Sequence, residues 1–191
     1  MQSKRNGVTL SRWTAAGLEI LQRSNTPELK RYLGGIEDAS RVLRRHMRYM
    51  TEVRPGIIEI FEVWSDGAPC GSVGYWQRRV RGSLAYETGW VILPGFQRRG
   101  IAVAAMRLVL DRLGEVARYP FVWAFPAVEN GASNGVSRSL GFTLVGTATY
   151  NDPAGNPTSC NEWRHALSRQ PLRVARKPCM SRRNLPVPAG G

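Results

Sequence analysis

The residues best equipped for chemistry fall into two groups. The first is Gln97-Arg98-Arg99-Gly100-Ile101-Ala102, a basic turn that ends in glycine where an apolar helix begins. The first amides of a helix have no acceptor within it, and the helix dipole makes that end electropositive, so such a turn can hold an anion. Arg98 and Arg99 can add charge-assisted contacts, and Gly100 lets the backbone approach closely, because a side chain there would block the anion. The second group is a carboxylate and two hydroxyls. Glu87 lies upstream of the turn on a strand, sharing a face with Gly89 and Val91, while Ser133 and Ser137 follow Asn130 in a helical run. Each group also has an ordinary structural reading: exposed arginines at a helix start, a solvent-facing strand glutamate, and helix serines bonded to their own backbone.

The elements that must position these residues are legible from periodicity. Tyr86 to Leu93 alternates with bulky Tyr86, Thr88, Trp90 and Ile92, the period of a pleated strand. The helix after the turn places Ala102, Met106, Val109, Leu110 and Leu113 on one face, with Arg107 and Asp111 opposite, and Gly114 follows it. Upstream, Val8 to Trp13 reads as a first strand, and Thr14 as a cap for the helix that follows. Asn25-Thr26-Pro27-Glu28 is a second helix start. A third helix is expected over Asp38 to Met50, with Val42, Leu43, Met47 and Met50 inward, Arg41, Arg44, Arg45 and Arg48 mostly outward, and His46 on the surface.

From Ile57 the period becomes two. Ser65-Asp66-Gly67 is a hairpin turn, Cys70 to Trp76 the return strand, and Gln77 to Ser83 a basic loop before the central strand. Downstream come a strand over Phe121 to Phe125 and a helix capped by Asn130 with Ala132, Val136 and Leu140 sharing a face. Gly141 stops that helix, and strands over Thr143 to Tyr150 and Ser159 to Leu167 finish the chain. This is an α+β order: a mixed, mainly antiparallel sheet flanked by helices.

Composition narrows the function. The chain has 191 residues, 42% of them hydrophobic, enough for one packed domain. No apolar run approaches the ~18 residues of a membrane span; the longest, Phe121 to Val128, is broken by Pro126. A charged start with no apolar core after it is not a secretory signal. Cys70, Cys160 and Cys179 are widely spaced and only two histidines are present, so neither a metal site nor a disulfide framework is indicated, and a reducing cytoplasm fits best. Of the net charge of +13, the stretch from Ser168 onward carries +6, leaving +7 for the rest. That stretch lacks apolar periodicity and is proline-rich, so it reads as a basic, disordered tail (168–191) behind a domain spanning 1–167. Nucleic-acid binding driven by the tail and the four arginines lacks a groove-reading helix motif or an aromatic stacking pattern.

Several stretches together resemble the GNAT N-acetyltransferase superfamily, and within it the branch typified by the RimJ and RimL ribosomal-protein acetyltransferases. They are Tyr86-Glu87-Thr88-Gly89-Trp90, the Gln97 to Ala102 turn, Asn130-Gly131-Ala132-Ser133-Asn134 and Leu140-Gly141-Phe142, with Pro27 to Gly35 upstream. The resemblance covers roughly Val8 to Leu167. It implies a GNAT acyl-CoA N-acyltransferase fold and transfer of acetyl from acetyl-CoA to a primary amine, either a protein N-terminus or a small-molecule amine, without a metal. The anion of the turn is then the pyrophosphate of coenzyme A, held by Arg98, Arg99, Gly100, Ile101 and Ala102, with Val91, Leu93, Asn130 and Ser133 along the rest of the cofactor.

Glu87 is implied as the base that deprotonates the amine, helped by partial burial. Many members carry a tyrosine at the position of Ser137 to protonate the leaving thiolate; Ser133 is the other hydroxyl and matches the serine of the RimL-like branch. Many members also carry glycine where Arg98 stands. No cysteine has a nucleophile context, so direct transfer in a ternary complex is expected rather than an acyl-enzyme. A coenzyme A sensor without turnover is the alternative from the binding class.

Overall fold

The computed structural model describes residues 3–5, 7–152 and 154–167. The tail expected from Ser168, with Cys179, lies outside the described residues. The first elements are β1 (Ser3–Arg5), β2 (Val8–Arg12), α1 (Gly17–Arg23), α2 (Pro27–Lys30) and α3 (Ala39–Thr51). Three antiparallel strands follow, β3 (Ile58–Ser65), β4 (Ala68–Val80) and β5 (Ser83–Ile92). A 3-10 turn at Pro94–Phe96 leads to α4 (Ile101–Val116), and the chain ends with β6 (Phe121–Ala124), α5 (Gly131–Ser139), β7 (Thr143–Asn151) and β8 (Pro157–Ala166). One sheet joins all eight strands in the order β1-β2-β3-β4-β5-β6-β8-β7. Among the described residues only β5 and β6 pair in parallel, so the α+β, mainly antiparallel expectation holds.

The hairpins fix the register. Asp66 and Gly67 (φ 53° and 77°) join β3 to β4, and Arg81 and Gly82 (φ 48° and 82°) join β4 to β5. Two consecutive left-handed residues match the right-handed twist of the flanking strands. The expected basic loop over Gln77 to Ser83 is therefore mostly strand: pairing continues to Val80↔Ser83. Arginine in place of the usual asparagine or aspartate hides the second turn from the sequence.

Two helical layers cover the sheet. On one face α4 buries Ile101, Ala105, Met106, Val109 and Leu113 against Val73, Tyr75 and Tyr86. Gly114 lies inside this helix rather than ending it. Arg112 ties α4 to the sheet through Glu59, with Nε at 3.1 Å from the carboxylate. On the other face α1 and α3 close over β2 to β4, burying Trp13, Ile20, Leu21, Val42 and Ile60 with Trp76 alongside. That layer stops at β4, and among the described residues no helix covers the same face of β5 to β8.

Three helix expectations are corrected. Thr14 is not the cap of α1; its hydroxyl and amide both donate to the buried Glu62, at 2.7 and 2.8 Å, and the helix begins at Gly17. Asp38 caps α3 rather than beginning it, and the inward stripe is Val42 and His46, while Leu43, Met47 and Met50 are exposed. His46 is buried because its Nδ1 accepts the indole N–H of buried Trp13 at 3.2 Å, an acceptor that no aliphatic side chain supplies. Arg45 also turns partly inward, pairing with Glu37. In α5 the buried positions are Asn134 and Ser137 rather than Ala132, which is exposed.

Candidate active site

Parallel pairing between β5 and β6 is brief: Tyr86↔Val122 and Glu87↔Trp123. From Thr88 onward the two strands part while β5 stays paired to β4 as far as Ile92. Backbone groups alternate sides along a strand. The Leu93 amide donates to Cys70 O at 2.8 Å, so the amides of Val91 and Leu93 face β4. Those of Thr88, Trp90 and Ile92 face the gap. The cofactor positions assigned to Val91 and Leu93 are thus not backbone positions on the open side. Val91 is half-buried and Leu93 fully buried.

Beyond the gap the chain enters the basic turn. Gln97 is anchored by its side-chain amide, which donates to Ile92 O at 2.9 Å. Arg98 (φ 59°) and Gly100 (φ 74°) are both left-handed, and they flank Arg99. Glycine adopts the left-handed backbone of Arg98 without the cost of a Cβ. α4 has no side-chain cap, and its first intrahelical bond is Ala104 N to Gly100 O. The amides of Ile101, Ala102 and Val103 therefore have no partner in the helix, and they add to the electropositive end of a helix of 16 residues. A Cβ built on Gly100 meets no protein atom within 4 Å, so that flank is open to a ligand. Arg99 is drawn to the β3–β4 hairpin by Asp66, at 2.8 Å, and is half-exposed. These features fit a pyrophosphate.

Glu87 stands where the strands part. Its Oε2 accepts the Trp76 indole N–H at 3.0 Å and Arg78 Nη1 at 2.6 Å, and its side chain is 18% exposed. The Arg78 guanidinium lies 4.6 Å from the Phe125 ring centroid and 4.9 Å from that of Tyr150. Tyr150 donates in turn to Glu162, which also takes Arg81. The burial of Tyr150 and its bond to Glu162 push its phenol up to about 12, while the same bond, with Arg81, holds Glu162 below the usual carboxylate range. Arg78, Phe125 and Tyr150 were not singled out in the sequence. Extending β4 past Trp76 puts Arg78 on the Glu87 face, which is the signal that an earlier end to the strand conceals. Trp76 is thus at the site through its indole. Tyr75 is fully buried and bonded to Glu59.

The hydroxyls lie on α5. Asn130 caps the helix, its Oδ1 accepting Ser133 N at 3.1 Å. Ser133 is half-buried; Ser137 is fully buried and donates to Ser133 O at 3.3 Å, so its hydroxyl is turned into the helix. Asn134 is structural: it donates to Ala127 O and Asn130 O and accepts from Asn161 and Trp163, which fixes the start of α5 against β8. At the open end of the groove the segment after α2 meets the β7–β8 loop. A Cβ on Gly34 would lie 2.6 Å from that of Ala154, and Tyr32 donates to Glu129 O at 3.4 Å.

Among the described residues no group of histidine, cysteine and acidic side chains is arranged to hold a metal, and no helix is long and apolar enough to cross a membrane. The family model described as the acetyltransferase (GNAT) domain matches residues 8–143. The chain belongs to the GNAT acetyltransferase family. No curated protein sequence matches it. Solved structures similar in fold include the acetyltransferase from Salmonella typhimurium that modifies the N-terminal serine of ribosomal protein L7/L12, with 15% identity and a TM-score of 0.72, covering 86% of this chain and 97% of that one. Another is the ribosomal-protein-S5-alanine acetyltransferase from Vibrio fischeri, with 14% identity and a TM-score of 0.66, covering 87% and 97%. A third is the microcin C7 self-immunity acetyltransferase MccE in complex with acetyl-CoA and AMP, with 16% identity and a TM-score of 0.69, covering 85% and 93%.

Proposed function

We propose that the protein is an N-acetyltransferase that moves acetyl from acetyl-CoA to a primary amine by direct transfer. The observation that carries this reading is that β5 and β6 part immediately after Glu87, so one carboxylate stands between the basic turn and the open face of the sheet. The thioester supplies an activated acyl group. The amides of Ile101, Ala102 and Val103, with Arg98 and Gly100, would hold its pyrophosphate, and Arg99 would leave Asp66 to reach the same anion. The amides of Trp90 and Ile92 are the open donors along the gap. Glu87, fixed by Trp76 and Arg78 through one oxygen, keeps the other to take a proton from the incoming ammonium, freeing the lone pair that attacks. Ser133, half-buried at the start of α5, is the hydroxyl in position to protonate the departing thiolate; the back-bonded Ser137 is a poorer donor. A reducing cytoplasm remains the expected compartment.

Release of free thiol from acetyl-CoA against a panel of amines tests the proposal. Glu87→Gln is expected to lower kcat by about 10²–10⁴-fold while leaving acetyl-CoA binding intact. Unchanged turnover in that variant would remove Glu87 as the base. If none of the amines leads to thiol release although acetyl-CoA raises the melting temperature, the sensor reading is favoured.

A further inference from the structure

The amine ought to reach Glu87 across the open face of β5 to β8, and that face has a definite charge pattern. Arg78 stands opposite Ala85, two residues from Glu87 along β5, on the side away from the cofactor turn. That separation is about 7 Å. Arg78 is about one-third exposed. Phe125 and Tyr150, themselves edge to face at 4.9 Å, together back one side of the guanidinium, and among the described residues its hydrogen bond is the one from Nη1 to Glu87. The remaining N–H donors of a five-donor fork are held in a fixed direction without an acceptor.

The rest of the face shifts the balance further. Glu162 is paired with Arg81, and Arg164 lies over Phe121 and Trp123 at 4.7 and 5.7 Å. Residues 162 and 164 share this face with Trp123, given the Trp123↔Arg164 pairing. Three guanidiniums thus stand against two carboxylates, each of which already has a cation. At the mouth, Asp152 accepts from the amides of Ala154 and Asn156 in its own loop. Among the described residues both carboxylates of this face are already paired with an arginine, so a polycationic acceptor would meet net positive charge there.

We propose that Arg78 reads the acceptor: the site takes an amine that carries an oxyanion, carboxylate or phosphate, within several ångströms of its nitrogen, and rejects polyamines and aminoglycosides. The proposal rests on the reading of Glu87 as the place where the amine docks. The oxyanion accepts from the free edge of the Arg78 fork while the ammonium faces Glu87, so one ion pair of the protein is matched by a dipolar ligand. No bond is made or broken at Arg78; it is a specificity-determining residue.

The test compares matched acceptors on the full chain. One arm uses peptides with an acidic residue at the second position against the same peptides amidated to the neutral form. A second uses free amino acids against their amides, and a third uses phosphoethanolamine against ethanolamine; spermidine is the polycation. Each pair is read twice, as kcat/KM and as equilibrium binding to the CoA-loaded protein. The anionic member is expected to win by about 10–100-fold, the effect of one charge-assisted hydrogen bond. Which arm shows the largest ratio identifies the source of the oxyanion. Arg78→Met should bring the ratio close to one, and Arg78→Lys should restore part of it. Spermidine outcompeting the anionic acceptors, or an unchanged ratio in Arg78→Met, overturns the proposal. If no acceptor is turned over, the acetyltransfer reading fails, and the binding ratios still decide about Arg78. If Arg78→Met does not fold, the wild-type ratios and Arg78→Lys decide.

Discussion

The turn before α4 makes a two-sided prediction, because two left-handed residues of opposite chemical suitability stand one residue apart. Left-handed backbone costs a residue with a Cβ roughly 1–2 kcal/mol. Glycine loses about 0.5–1 kcal/mol more than alanine in conformational entropy on folding. At Arg98 (φ 59°) these oppose, and Arg98→Gly is expected to stabilise the free protein by about 0.5–1 kcal/mol. At Gly100 (φ 74°) the same balance makes Gly100→Ala destabilising by a similar amount. For a chain of this size each is a shift of about 1–4 °C in Tm, in opposite directions.

A ligand separates strain from recognition. The alanine methyl at position 100 has no protein atom within 4 Å, so any further effect must come from what binds there. At acetyl-CoA one hundred times above its Kd the wild type gains about 2.7 kcal/mol, and a tenfold weaker complex gains about 1.4 kcal/mol. Thermal melts with and without acetyl-CoA should therefore show the ligand-induced shift roughly halved in Gly100→Ala. Arg98→Gly, more stable when free, should bind with a shallower salt dependence, because one cation is lost. A full ligand-induced shift in Gly100→Ala would refute the pyrophosphate cradle. Equal melting temperatures of the three free proteins would refute the strain argument.

Other outcomes follow from particular contacts. Asn134→Leu strands the Trp163 indole N–H and several loop carbonyls, so chemical denaturation should show a loss of about 3 kcal/mol or more, with the start of α5 loosened in hydrogen exchange. Glu162 is held below its ordinary pKa, so its contribution is present above the unfolded value near ~4.3 and is lost as pH falls through the lower folded value. Glu162→Gln should flatten the acid limb of the stability curve. Tyr150 is raised to about 12, so its contribution is complete below the unfolded value near ~10 and disappears as pH rises through about 12. Tyr150→Phe should flatten that alkaline limb. Asn130→Ala removes the α5 cap and should cost about 1 kcal/mol in the same denaturation experiment.

Features encoded in contiguous residues were legible without the fold. The Gln97 to Ala102 turn, the Asn130 cap and the Asp66-Gly67 hairpin each follow from local backbone preference, which a few neighbouring residues set. The strand holding Glu87 was equally clear, because an alternating pattern needs no partner to be recognised. Tertiary structure alone decided which of two apolar stripes of α3 turns inward, since Leu43, Met47 and Met50 are as apolar as a core face and lose to the stripe whose His46 can accept from Trp13. It also decided what surrounds Glu87. Arg78 reaches that carboxylate only because the Arg81-Gly82 turn sets the β4–β5 register, and it packs against Phe125 and Tyr150 only because β6 and β7 arrive from later in the chain. Backbone conformation is a local property, so the basic turn was written in one stretch. The neighbours of a charge come from distant segments, and they are defined once the sheet has closed.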